Sequence, residues 1–428
     1  MKTVVVREYA RLTTDDVPAS LDQATVTPSA FEWLCNLAAG FSRSDASLLH
    51  LETRRWLRLD SHVGVIQTPC GTLLEILPKH TPLTDEATAA KARALLVKML
   101  TEALDLPVRT AEAADIAMFR HPLLEWVMRR FVFALDDLVK RGLRFDYQRV
   151  EEEERYLRGQ LNVVRQMRQP PGRGHIFNIR HDLFLPDRPE NRLLKSALMR
   201  VCQTTAQPDT WRLAHELAGL FADMPHSVDT RADFRAWRKD RLMAHYAAVR
   251  PWCELVLGEH MPLAVRGAVN GISLLFPMEK LFERYVEVRL SKQLPRPYRL
   301  KAQARSESLC VHDGADMFQL RPDFLVHDGD KTMLVMDAKW KLLTVADRDN
   351  KYGLSQSDFY QMFAYGHKYL GGAGDMVLIY PKTAELDRPL PRFDFSPDLK
   401  MWVAPFDLEA GHLKWPVELT MVENGLCQ

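Results

Sequence analysis

The 428-residue sequence has few cysteines and no excess of glycine or proline. It contains 20 glycines, 25 prolines and six cysteines, while 46% of its residues are hydrophobic and 26% are charged. This composition excludes a disordered or collagen-like chain. The cysteines are widely scattered, and no two stand at the spacing of a zinc knuckle or a redox pair. We therefore expect a reducing compartment.

The sequence also lacks a long apolar run and an excess of either charge. No stretch approaches the roughly 18 apolar residues of a membrane helix, and the apolar segment between Lys2 and Arg7 is too short for a secretory signal. We expect a soluble, cytoplasmic protein with no membrane association. Lys and Arg number 57 against 56 for Asp and Glu, so the net charge is +1. Any nucleic-acid site must therefore be a local patch.

Several catalytic motifs are missing as well. The chain has no Gly-x-x-x-x-Gly-Lys-Ser/Thr loop, no Gly-x-Gly-x-x-Gly loop, no His-Glu-x-x-His and no Gly-x-Ser-x-Gly. We therefore expect no bound nucleotide cofactor, zinc-protease site or ordinary serine-hydrolase site.

The order of predicted elements indicates an α+β or α/β multidomain protein. Residues 1–112 form a β-rich N-terminal module, with a hairpin from Val63–Gln67 and Thr72–Leu77, followed by an amphipathic helix. Residues 113–265 form a mostly helical middle region. In residues 266–428, strands mixed with helices predict an α/β domain with a buried sheet, including a helix over Ser357–Leu370 and a wholly apolar strand over Met376–Tyr380.

The middle region contains an arginine-rich stretch, 158–184, which we predict to be a projecting basic hairpin with a Pro/Gly tip. A solvated loop with ordinary surface arginines is the alternative, and we leave both open. Glu151–Glu154 is interpreted as a solvated charge run. A single helix is predicted over Lys239–Leu257.

The residues that indicate chemistry lie in the last region. Asp323 opens one predicted strand, and Asp337 and Lys339 end the next. Positions i and i+2 of a strand share a face, so a carboxylate and an ammonium are presented together. Mg²⁺ prefers carboxylate, water and phosphate oxygens, and a nearby lysine can orient or help deprotonate the attacking water. We expect Asp337 to be exposed, so that its removal leaves the fold intact.

Two predicted helices flank this pair of strands. Glu283 is a charge within an apolar helical stripe, and Gln361 and Tyr365 stand at i and i+4 on one helix face. Taken alone, Glu283 is explained as a surface carboxylate at the rim of an apolar face, and Gln361 and Tyr365 are explained as packing residues. Taken together, the three residues favour a site at the sheet edge.

The register between the two strands decides whether this site can exist. A two-residue turn at Asp328–Gly329 pairs Asp323 with Leu334 and places Asp337 on the opposite face. The site therefore requires either an odd loop centred near Asp330 or a β-bulge.

These residues resemble the PD-(D/E)XK nuclease superfamily, in the branch that carries a Gln-x-x-x-Tyr helix, as in RecB-type nucleases. The chain as a whole resembles the McrC family of nuclease subunits of McrBC-type modification-dependent restriction systems. The stretches that carry this resemblance are Glu75–Lys79, Leu157–Leu161, Asn191–Lys195, Leu281–Tyr285, Asp337–Lys341 and Asp358–Met362.

The resemblance implies a role for each candidate residue. Asp323 and Asp337 would be Mg²⁺ ligands, Lys339 the catalytic lysine, and Glu283 an accessory acid and metal ligand. Gln361 and Tyr365 would position DNA or the metal shell.

The resemblance also implies a Mg²⁺-dependent endonuclease that cleaves double-stranded, methylated DNA and stimulates a separate McrB-like AAA+ GTPase hexamer. The basic hairpin or the N-terminal module is predicted to contact that ring. Two alternatives remain: an assembly and activator subunit with a weak or silent nuclease, and a stand-alone DNA repair nuclease. The second leaves the first 270 residues without a role.

Overall fold

The computed structural model describes residues 2–41, 48–80, 86–107, 122–258 and 273–419. Contacts divide these residues into two compact units. The first unit combines the described residues up to 123 with those from 275 onward, and the second spans 124–258 with 273–274. The boundaries predicted at 112/113 and 265/266 lie outside the described residues and stay predictions. Within the described chain, no helix is both long enough and apolar enough to cross a membrane.

Helices and strands alternate irregularly along the chain. The α-helices are α1 Pro28–Phe41, α2 Glu86–Ala103, α3 Leu123–Arg141, α4 Val163–Met167, α5 Pro189–Thr204, α6 Pro208–Leu220, α7 Thr230–Ala236, α8 Arg250–Leu257, α9 Met278–Gln293 and α10 Gln356–Tyr369. The strands are β1 Lys2–Arg7, β2 Arg11–Thr13, β3 Gln23–Thr25, β4 Leu49–Thr53, β5 Trp56–Leu59, β6 His62–Gln67, β7 Thr72–Leu77, β8 Asp146–Glu154, β9 Gln160–Leu161, β10 Phe177–Leu185, β11 Leu274–Pro277, β12 Arg299–Ala302, β13 Ser308–His312, β14 Ala315–Gln319, β15 Phe324–Asp328, β16 Lys331–Ala338, β17 Gly374–Pro381, β18 Phe393–Asp394, β19 Leu399–Asp407 and β20 His412–Leu413.

The N-terminal part of the first unit is built on two four-stranded sheets, ordered β1-β7-β6-β11 and β3-β2-β5-β4. β6 and β7 form the predicted antiparallel hairpin, and β1 adds to β7 in parallel. β7 is buried along its whole length, as expected for an apolar strand covered on both faces. Helix α2 packs against α9, and Arg289 pairs with Glu102 at 3.0 Å.

The C-terminal part of the first unit holds a seven-stranded mixed sheet. Its order is β12-β15-β16-β17-β19-β18, with β20 on β19, and β16, β17 and β19 run parallel. Helix α10 covers one face, where Met362 packs in one cluster with Val335 and Leu378. Helix α9 covers the other face, where Phe282 meets Phe406 with ring centroids 6.2 Å apart.

Helix α10 lies unusually close to the sheet at Gly366. A Cβ atom at this position would come within 2.7 Å of Met376 Sδ and 2.8 Å of Leu399 Cδ1. Only glycine therefore allows this spacing between the helix and the sheet, which also places the polar positions of α10 near the strand ends.

The second unit contains a three-stranded sheet, ordered β8-β10-β9. The prediction of a solvated charge run at Glu151–Glu154 is confirmed, because these residues are exposed or half-buried, and the structure adds that they end β8 and pair with β10. Within the predicted hairpin, β9 and β10 are the paired arms, with α4 between them. The strand forms despite its charge because the facing arginines neutralise it, as in the ion pair of Arg180 with Glu151 at 2.5 Å.

The helix predicted at the end of this unit is divided into two segments. The single helix predicted over Lys239–Leu257 is a 3₁₀ helix, Arg241–Tyr246, followed by α8. Pro251 sits in the first turn of α8. Because proline lacks an N–H and clashes with the preceding turn, it separates the two segments.

Candidate active site

The antiparallel hairpin of β15 and β16 brings Asp323 and Asp337 together. Its ladder pairs Asp328 with Lys331 at the turn and Phe324 with Met336 at the far end, with a register shift next to Val326. The shift is a β-bulge that inserts one extra residue on β16. The extra residue shifts the pairing by one position, as the predicted site requires, so Asp323 lies opposite Asp337 and both side chains are on the same face of the sheet.

A backbone hydrogen bond fixes the first carboxylate against the second strand. Ala338 N–H donates to Asp323 Oδ2 at 2.8 Å. Asp337 lies beside it and is only 2% exposed, so the prediction of an exposed strand-end carboxylate is wrong. Helix α10 causes this burial because it covers the sheet up to the strand end.

Lys339 is held next to Asp337 by a chain of polar contacts. Its Nζ lies 2.7 Å from Asp337 Oδ2 and donates to Gln361 Oε1 at 3.2 Å. Gln361 Nε2 donates in turn to Tyr365 Oη at 2.6 Å, and Tyr365 donates to the carbonyl of Arg321 at 2.9 Å. The structure therefore brings together five of the six candidate residues.

The sequence interpretation missed Asp358 as a member of this group. Its Oδ1 lies 3.8 Å from Lys339 Nζ, and its Oδ2 accepts from Tyr380 Oη at 3.5 Å. Asp358 stands three residues before Gln361 on α10, so the spacing 358, 361 and 365 on one helix face was the available signal.

The packing of these acids changes their proton affinities. Burial, followed by the charges of Asp337 and Glu283, raises the pKa of Asp323 to about 8. Burial also raises the pKa of Asp337, against the opposing effect of the Lys339 ammonium. Burial lowers the pKa of Lys339, but the attraction of Asp337, Asp358 and Asp323 outweighs it and raises that pKa overall. Lys339 is thus a cation among competing carboxylates.

Glu283 approaches the group from the other side of the sheet. It belongs to α9, and its Oε1 accepts from Gln303 Nε2 at 3.0 Å. Gln303 N–H donates to the carbonyl of Asp323 at 2.8 Å, which ties this contact to the same strand end. Glu283 is therefore near enough for its charge to raise the pKa of Asp323, while its Oε1 already accepts the hydrogen bond from Gln303.

The donor set fits a hard divalent cation held by two carboxylates. Across the part of the chain that the structure describes, no three His, Cys, Asp or Glu side chains are grouped closely enough to hold a metal ion. Mg²⁺ needs only one or two carboxylates, because waters and substrate phosphate complete its shell. Asp323 and Asp337 meet this requirement, and their mutual repulsion is the kind that a bound cation relieves.

The family model described as "McrBC 5-methylcytosine restriction system component" matches residues 57–381, a range that contains all the residues above. A search of curated proteins found no match.

Two solved structures resemble the fold. The first is a refined half-complex from a tetradecameric assembly of Thermococcus gammatolerans McrB AAA+ hexamers with bound McrC, with a TM-score of 0.70 and 20% identity over 95% of both chains. The second is the Thermococcus gammatolerans McrBC complex, with a TM-score of 0.52 and 21% identity over 69% of this chain and 89% of that one.

Proposed function

The chain belongs to the family of McrBC 5-methylcytosine restriction system components, and from this membership we propose that it is the nuclease subunit of such a system. It would hydrolyse phosphodiester bonds in double-stranded DNA that carries 5-methylcytosine, in the cytoplasm. The observation that carries the proposal is the convergence of Asp323, Asp337 and Lys339 at one strand end, in the PD-(D/E)XK order.

Asp323 and Asp337 would hold Mg²⁺, with Glu283 as an accessory acid. The bound cation would supply Lewis-acid stabilisation of the phosphate oxygens and a more acidic water. Asp323 must lose its proton to take part, because its pKa of about 8 keeps the cation-free carboxyl largely neutral at pH 7. Cation binding would therefore release a proton and strengthen as the pH rises towards 8.

Lys339 would act as a fixed cation. Its raised pKa keeps it protonated at neutral pH, so it donates hydrogen bonds and cannot accept the proton of the attacking water. Its ammonium can orient that water and stabilise the negative charge that develops on the phosphate. Gln361 and Asp358 would keep the ammonium in place when Asp337 is engaged with the cation.

We also propose that the chain assembles with an AAA+ GTPase hexamer and stimulates its GTPase, since the similar solved structures contain McrB AAA+ hexamers. The β8-β10-β9 sheet is the proposed contact. Exposed apolar side chains accompany its arginines: Tyr156, Leu157, Val163, Val164 and Met167. These side chains lie on α4 and on the segment that connects β8 to β9, and such a combination of apolar and basic groups beside one small sheet is typical of a protein interface.

The test is a cleavage assay with purified components. The full chain is incubated with and without the hexameric GTPase, on methylated and unmethylated DNA, with Mg²⁺ and GTP or with EDTA. We expect cleavage only of methylated DNA, only with Mg²⁺ and the partner. Stimulation of GTP hydrolysis without any cleavage would instead establish the activator subunit with a silent nuclease.

A further inference from the structure

A second buried carboxylate stands outside the proposed catalytic group. Glu8 follows β1 and is fully buried. Its Oε1 accepts two hydrogen bonds, from Lys79 N–H at 2.7 Å and from Trp340 Nε1 at 2.8 Å. Ser61 Oγ adds a longer contact to Oε2 at 3.4 Å. Glu8 thus joins the N-terminal strands to the residue that directly follows Lys339.

Trp340 fixes the chain behind the lysine. Neighbouring positions at a strand end point to opposite faces, so Trp340 lies on the α9 side when Lys339 faces α10. The indole ring packs on Phe282 with centroids 5.3 Å apart. Lys339 N–H donates to the carbonyl of Ile379 at 2.8 Å, which continues the strand ladder. The carbonyl of Lys339 also accepts from Lys341 N–H at 3.1 Å, so the backbone of Lys339 is held by its own hydrogen bonds and by the anchored ring of Trp340.

The contact with Glu8 holds this segment at the edge of an open cleft. Trp340, Lys341 and Leu342 border an open cleft of about 300 Å³ together with Glu8 and Lys79. A buried indole N–H requires an acceptor, and Glu8 supplies it. Burial raises the pKa of Glu8 to about 7, yet an oxygen of the carboxyl can accept from Trp340 in either protonation state.

We propose that Glu8 is a positioning residue for catalysis: through Trp340 it fixes the segment that carries Lys339, and so couples the N-terminal strands to the nuclease group. The inference rests on the proposed nuclease function. Small displacements of a catalytic group cost rate more than binding, because the chemical step depends steeply on geometry. Glu8 should therefore affect kcat and leave the affinity for DNA unchanged.

The experiment measures steady-state cleavage of methylated DNA by the full chain with its GTPase partner, Mg²⁺ and GTP. Glu8→Met removes the acceptor at similar length, and Trp340→Phe removes the donor. We expect each to lower kcat about tenfold or more, with KM for DNA within about twofold of the wild type. The double variant should be no slower than the slower single variant, because both changes remove the same hydrogen bond between Glu8 and Trp340.

Two variants serve as matched controls. Glu8→Gln keeps an acceptor oxygen and should retain kcat within about threefold. Trp402→Phe removes the equivalent indole–carboxylate hydrogen bond, to Asp375 at 3.3 Å, in the same sheet but away from Lys339. It should leave kcat unchanged. Thermal unfolding of every variant separates loss of fold from loss of positioning.

Three outcomes would overturn the inference while the proposed function stands. In the first, the wild type cleaves DNA and both Glu8→Met and Trp340→Phe keep a kcat within about twofold of the wild-type value. In the second, Glu8→Gln is as slow as Glu8→Met. In the third, Trp402→Phe is as slow as Trp340→Phe. If Glu8→Met does not fold, the comparison of Trp340→Phe with Trp402→Phe carries the test. A wild type that never cleaves with its partner overturns the proposed function itself.

Discussion

Asp323 and Asp337 face each other across two antiparallel strands because one extra residue of β16 interrupts the ladder between them. The pairs on the turn side of the bulge are His327 with Thr332 and Asp328 with Lys331, and those beyond it are shifted by one position. Without the shift, the two carboxylates would lie on opposite faces of the sheet.

Removing the second carboxylate should abolish cleavage without unfolding the protein. We expect Asp337→Asn to lower kcat at least about 100-fold, because it removes a proposed cation ligand of an otherwise two-carboxylate site. The nearly isosteric change breaks the buried ion pair with Lys339, so thermal unfolding of the variant must show that it remains folded at the assay temperature. The control is Asp375→Asn, a buried aspartate of β17 outside the catalytic group. Wild-type cleavage by Asp337→Asn, measured on supercoiled methylated DNA, would refute the site.

Removing the first carboxylate should stabilise the cation-free protein in a pH-dependent way. The folded pKa of Asp323 is about 8, well above its usual value, so the folded state binds more protons between about pH 4 and 8. Its contribution to stability is therefore present at low pH and is lost as the pH rises through 8. Asp323→Asn removes this loss, so the free energy of unfolding should be about 1–2 kcal/mol higher in the variant than in the wild type at pH 8. Urea unfolding in EDTA from pH 5 to 9 tests this, and identical pH slopes in both proteins would contradict it.

The hydrogen-bond chain behind Lys339 should contribute modestly to catalysis. Tyr365→Phe removes the hydroxyl that accepts from Gln361 and donates to Arg321. One hydrogen bond is worth about 1 kcal/mol, so kcat should fall about fivefold. Tyr369→Phe is the matched control, since its hydroxyl donates to the Leu320 carbonyl at 3.2 Å but does not touch Gln361. Equal kcat values for the two variants would remove Gln361 and Tyr365 from the mechanism.

The arginines between β9 and β10 should affect the GTPase activity of the partner and not DNA cleavage by the nuclease group. Arg165 and Arg173 already pair with Glu151 and Glu153 at 3.3 and 2.7 Å, and such exposed pairs contribute little to stability. Replacing Arg165, Arg168 and Arg173 together with alanine should reduce GTPase stimulation severalfold at an unchanged melting temperature.

The control for this triple variant changes Arg212, Arg231 and Arg235, exposed arginines on other helices of the same unit. Unchanged GTP hydrolysis by the first triple variant would exclude these arginines from the ring contact. Weaker and less salt-dependent DNA binding would assign them to DNA instead.

The sequence predicted the strands and helices of the catalytic region closely because their apolar patterns are long and regular. The strand predicted over Met376–Tyr380 lies inside β17, and the helix predicted over Ser357–Leu370 is α10 with a shift of one residue at each end. These elements bury continuous apolar faces, so local pattern and tertiary structure agree.

What the sequence could not reveal depends on pairing between distant segments. The bulge inserts an ordinary methionine, Met333, which carries no signal of its own. Glu151–Glu154 is a strand only because arginines more than ten positions away face it. Asp358 belongs to the catalytic group only because Gly366 lets α10 approach the sheet. A charge pattern in the sequence reports only on neighbouring residues, whereas strand register and helix packing bring together residues that are far apart in the chain.

The first compact unit draws on both ends of the described chain, and its bond between Glu8 and Trp340 spans 332 positions of the sequence. The entropy of closing so long a loop rises only slowly with its length, so the penalty falls mainly on the speed of folding. A fragment starting at residue 273 would keep all six candidate residues. It would also expose the face of α9 that α2 covers, and such uncovered apolar surface promotes aggregation. Dissection of this protein should therefore remove the second unit and retain the N-terminal strands.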